Sequence, residues 1–194
     1  MNTTLRRDAP AVGSKRHGAR SGLLVFGVLL TGQFNGLPIP ATNTVGQVWV
    51  AVAAALLLGS LPGVAATFVR GWTGKVAVFA MALAFAAMVA GGVAGLVNPA
   101  IGRLLVFAAF PFAVAAGTLL GISLLRTDGP RAATWLLTVS LPMLAVTDKL
   151  LWDPMATALG FDLAPILFTW PFGLGMLLLG VAVDRADRDG QLSR

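Results

Sequence analysis

The sequence predicts an all-α fold: a polytopic membrane helix bundle of about six transmembrane helices, with N-terminus and C-terminus both cytoplasmic. Three observations carry that prediction. First, 57% of the residues are hydrophobic and only 11% charged, against about 45–50% and 25% in soluble domains. So little charge cannot clothe a globular surface in water. Second, the apolar residues gather into runs close to the ~20 residues that cross a bilayer core. Third, Lys and Arg fall between those runs with a bias toward alternate connections, which is an orientation signal.

Taken in order, residues 1–20 read as a flexible basic cytoplasmic tail carrying Arg6, Arg7, Lys15, Arg16 and Arg20. No small-x-small cleavage pattern follows the next apolar run, so the first span is expected to be retained rather than removed as a signal peptide. The six-helix domain is placed at 21–184. Its first span, 22–39, is the least apolar, with Gln33, Asn35 and Pro38 in its outer third. The second, 45–69, contains Pro62 and is expected to tilt, kink or stop near Leu61. The third and fourth, 76–97 and 104–125, each run 22 residues without a charge. The fifth, 132–151, ends in T-D-K-L-L-W-D-P (147–154), and the sixth, 163–183, leads into a short cytoplasmic tail at 185–194. The connections R-G-W-T-G-K (70–75), N-P-A-I-G-R (98–103) and R-T-D-G-P-R (126–131) are short and rich in Gly or Pro, as turns between antiparallel helices should be.

With the N-terminal cluster inside, Arg70, Lys75, Arg126, Arg131, Arg185, Arg188 and Arg194 also fall inside, and only Arg103 and Lys149 outside. That split favours an even number of spans. A pI near 11.4 would suggest nucleic acid in a soluble protein. Here the positive charge is confined to the inter-span clusters, and no nucleic-acid partner is expected.

The residue inventory narrows the chemistry. There is no cysteine, glutamate or tyrosine, all eight acids are aspartates, and His17 is the sole histidine. Thiolate chemistry and cysteine-ligated metals are excluded. General-base and metal-assisted mechanisms have few candidates, so no catalytic residue, metal ligand or cofactor is assigned and an enzyme is disfavoured.

Two further patterns concern packing. Small residues recur every fourth position in the second span (Ala51, Ala55, Gly59, Gly63), the third (Ala82, Ala86, Ala90, Ala94 and Ala87, Gly91, Gly95) and the fourth (Ala113, Gly117, Gly121). Lipid supplies no hydrophobic drive for helix association, so such rows mark close backbone approach. They fit the centre of the bundle itself, or a partner membrane subunit or a second copy docked on spans 2–4. Pro111, Pro142 and Pro171 lie within spans and are expected to bend helices around an outward cavity.

The candidate site gathers at the outer side. Asp148 and Lys149 lie deep enough in the fifth span to suggest a cavity or partner. Trp152 shares a helical face with Asp148, and Trp170 lies within the sixth span. Gln33 and Asn35 offer uncharged donors and acceptors at the outer end of the first. Together these six would line a pocket for a polar or zwitterionic small molecule. A purely structural role competes: Lys149 pairing with an aspartate, Asp153 and Asp162 capping helices. In length and span count the chain resembles the substrate-capturing subunits of energy-coupling factor transporters, six-helix proteins that take up vitamins or metals. The likeness is one of topology, and no residue motif carries it. The sequence therefore leads to two expectations for a protein of the bacterial-type plasma (inner) membrane. One is a small-molecule transporter or the substrate-capturing subunit of one; the other is a non-catalytic accessory or assembly subunit of a larger membrane complex.

Overall fold

The structure, a computed structural model, describes residues 44–127, 129–146 and 164–192, and within them the fold is all-helical. Five helices follow one another: α1 (Thr44–Phe68), α2 (Trp72–Val97), α3 (Pro99–Leu125), α4 (Arg131–Val146) and α5 (Ala164–Leu192). Three of them, over Val48–Phe68, Trp72–Val97 and Pro99–Leu125, are long and apolar enough to cross a membrane. At about 1.5 Å per residue α3 reaches roughly 40 Å, whereas the 16 residues of α4 reach only about 24 Å. α1 continues as one helix through Pro62, so the early stop expected near Leu61 does not occur.

Each helix packs on the next, and α5 returns to touch α1. The tightest junction is between α2 and α3, where a single residue, Asn98, closes one helix and opens the other. Its backbone N–H donates to Ala94 O at 2.8 Å. Its side-chain Oδ1 accepts from Ala100 N at 3.1 Å and Ile101 N at 3.4 Å. Pro99 follows in the first helical turn, where its missing N–H costs nothing. The stretch 98–103 is thus mostly helix rather than turn. Such a sharp reversal brings two backbones together: a Cβ on Gly102 would collide with Gly95 Cα and lie 2.7 Å from Gly95 N.

At the opposite end Gly74 lies against Ser123, with 2.8 Å between its would-be Cβ and Ser123 Oγ. The α1–α2 and α3–α4 connections therefore share one end of the bundle. Arg70, Lys75, Arg126 and Arg131 are all exposed there. Trp72 (79% exposed) and Trp135 (59%) project from the same end, as aromatic side chains do at a headgroup layer. Arg103, on the far end, is exposed with its Nε donating to Pro99 O at 3.4 Å.

The interior is filled by helical stripes: Leu57, Leu61 and Val64 from α1, Met81, Phe85 and Met88 from α2, and Phe172, Met176, Leu179 and Val183 from α5. The outside is no more polar. Phe79, Leu83, Phe107 and Phe112 all point outward, and Phe112 is 71% exposed. A surface of this kind matches hydrocarbon rather than water.

Candidate functional site

The polar feature that the helices build is a cluster of hydroxyls between α3 and α4, and small residues make it possible. The row Ala113, Gly117, Gly121 is fully buried. A Cβ on Gly121 would come within 2.7 Å of Thr138 N and Oγ1, and one on Gly117 within 2.5 Å of Phe172 Cε2. From α5, Gly175 faces Leu137 at 3.0 Å by the same measure. Phe172 also meets Phe110 edge-on, with ring centroids 6.4 Å apart. α3 and α4 therefore approach closely enough for a short side chain on one to reach the backbone of the other.

Thr118 does so. Its hydroxyl donates to Leu137 O at 3.0 Å and accepts from Leu141 N at 3.2 Å, so it bridges one i→i+4 step of the α4 backbone. Ser140 Oγ donates to the same Leu137 carbonyl at 2.7 Å and lies 3.2 Å from Thr118 Oγ1. A carbonyl has two lone pairs, and the two hydroxyls use both. One turn away Thr138 Oγ1 donates to Thr134 O at 2.8 Å. Thr134 is itself buried, and its Oγ1 finds no partner among the described residues. Pro142 follows immediately. Lacking an N–H, it deprives the Thr138 carbonyl of its usual helical donor.

Ser140 is nine residues beyond Arg131, about 14 Å along the helix from the basic end. Buried hydroxyls of this kind bind by exchanging hydrogen bonds; they are too weakly basic to take a proton at neutral pH. Among the described residues no group of three or more His, Cys, Asp or Glu is placed to hold a metal.

Of the sequence-derived site residues, Gln33, Asn35, Asp148, Lys149 and Trp152 lie outside the described residues, as do Asp153 and Asp162. Trp170 belongs to α5, directly before Pro171. The three intraspan prolines do not share a face: Pro111 and Pro142 are exposed on the outside of the bundle, while Pro171 is buried. Thr118 and Ser140 were not singled out from the sequence. The signal that could have found Ser140 is T-V-S-L-P (138–142), in which hydroxyl residues precede a proline within the helix; Thr118 carries no such signal.

No protein-family model, curated protein or solved structure matches this chain.

Proposed function

We propose that this chain is a six-span membrane protein with both ends cytoplasmic, and that it moves or captures a small polar molecule, alone or as the substrate-capturing subunit of a transporter. The observation that carries this reading is the Thr118 hydroxyl bonded into the α4 backbone beside Pro142. A perturbed backbone at membrane depth is tolerated where protein or a water-filled cavity satisfies it, and short, proline-interrupted spans are where transporters build their sites. α4 is both short and proline-bearing, and it leads directly into Thr147, Asp148 and Lys149. In this reading the hydroxyls form the floor of an outward pocket whose rim holds Asp148, Lys149, Trp152 and Trp170, with Gln33 and Asn35 completing it. The exposed Arg70, Lys75, Arg126 and Arg131 support a cytoplasmic assignment for their end of the bundle. A bacterial-type inner membrane suits such a charge pattern.

A second reading, an accessory subunit of a larger complex, is favoured by the exposed small residues Ala86 and Ala90 on α2, a surface suited to another helix.

Native mass spectrometry of the gently extracted protein separates the two. The transport reading expects a small bound mass that disappears in Asp148→Asn and Lys149→Gln and weakens in Thr118→Val. A stoichiometric second polypeptide, with no small mass on this chain, would reject self-sufficient transport; a partner that hydrolyses nucleotide would keep substrate capture, and one that does not would establish the accessory role.

A further inference from the structure

We propose that the outward face of α1 is the seat of this chain's own segment 22–39, packed antiparallel against it. Val48, Val52, Ala55, Gly59, Pro62 and Ala66 are all exposed, and their spacing of three and four makes them one stripe along the helix. From Ala55 onward the stripe holds small side chains or proline, with Leu56 exposed on its flank, and a Cβ on Gly59 would meet nothing within 4 Å. The outward face of α2 mixes Phe79 and Leu83 with Ala86 and Ala90, and α3 and α4 turn Phe107, Phe112 and Trp135 outward. Bulky faces suit lipid, whereas a shallow trough of small residues suits another helix. α2 covers one side of α1 and α5 touches it more lightly, which leaves the stripe side open.

Chain geometry names the occupant. Segment 22–39 precedes α1 by only the four residues 40–43. From residue 39 to residue 44 the chain makes five Cα–Cα steps, at most about 18 Å, ample for one step between neighbouring helices at 8–10 Å and sufficient for two only at full stretch. Counting outward from the 39/44 junction, an antiparallel seat would pair Leu24 with Gly59 and Val28 with Ala55.

The same register accounts for a second feature. Trp49 lies on the flank of the stripe with its indole Nε1 buried and without an acceptor among the described residues. The same seat would bring Gln33 and Asn35 to its level, and either side-chain carbonyl is a suitable acceptor.

The chain's lack of cysteine makes the test direct. Two double variants, Leu24→Cys with Gly59→Cys and Val28→Cys with Ala55→Cys, are treated in native membranes with a short thiol-to-thiol cross-linker. The result expected is loss of both free thiols at single-chain mass, with the linked peptides recovered after digestion. A link between two chains from the single Gly59→Cys variant, with no within-chain link in either pair, would hand the face to a second copy and overturn the proposal. Gly59→Cys and Ala55→Cys both open to a lipid-soluble maleimide, with no link of either kind, would overturn it in favour of bare lipid. The expected link would take Gln33 and Asn35 off the pocket's rim, but it leaves the hydroxyl cluster with Asp148 and Lys149 to the mass-spectrometric test, so the two proposals fail separately.

Discussion

The α2–α3 and α3–α4 contacts use the same device to opposite ends. In both, glycines let two helix backbones meet: Gly91, Gly95 and Gly102 in the first, Gly117 and Gly121 in the second. Around these three glycines the α2–α3 approach is apolar. The would-be Cβ of Gly91 meets Leu105 Cβ and Val106 Cγ2 at 3.0 Å each, and the hydroxyl of this interface, Ser123, lies at the other end against Gly74. The α3–α4 approach places Thr118 across a backbone step of its neighbour, one residue ahead of a proline. Close approach by itself produces a tight bundle. Adding one hydroxyl turns the same geometry into a place where a helix's own bonding can be exchanged for another's.

Three substitutions test that contrast, the largest effect first. Gly102→Ala drives a methyl into the Gly95 backbone, which cannot yield as a side-chain tip would. A loss of about 3 kcal/mol is expected, read as a lowered midpoint for unfolding in detergent. An unchanged midpoint would show that the α2–α3 junction is looser than its geometry. Thr118→Val keeps the shape but leaves Leu141 N–H without that partner. Here we expect a loss of about 1–2 kcal/mol together with faster hydrogen exchange at Leu141. Thr118→Ser should restore both; failure of serine to rescue would assign the effect to methyl packing instead. Ser140→Ala is the mildest change, because the Leu137 carbonyl still accepts from Thr118. A loss below about 1 kcal/mol is expected, and a cost equal to that of Thr118→Val would mean that the two hydroxyls act as one unit.

Much of the architecture was legible in particular residues. The uncharged runs 76–97 and 104–125 predict the two longest apolar helices, and α2 and α3 extend them only by adding Trp72 and Pro99 with the turns that follow. The rows Ala87-Gly91-Gly95 and Ala113-Gly117-Gly121 mark helix contacts, and Gly91, Gly95, Gly117 and Gly121 are buried in them. The outer-pocket residues are a different matter. Asp148, Lys149, Gln33 and Asn35 announce themselves by being polar in apolar surroundings, but their mutual placement is a question of helix adjacency that spacing along one chain does not encode.

The sequence by itself determined helix, length, apolarity and the sign of the charge between spans, because each is local: hydropathy over about 20 residues, a proline or glycine at a turn, an arginine beside it. Only the tertiary structure decided which face of each helix looks inward. In a water-soluble helix an apolar stripe would have told this in advance. Here Phe79 and Leu83 point outward while Met81 and Phe85 point inward, and hydropathy is blind to the difference because lipid and protein interior are equally apolar. The choice falls to small residues and hydroxyls, whose contribution depends on what stands opposite. Thr118 could be recognised only once Leu137 and Leu141 stood across from it.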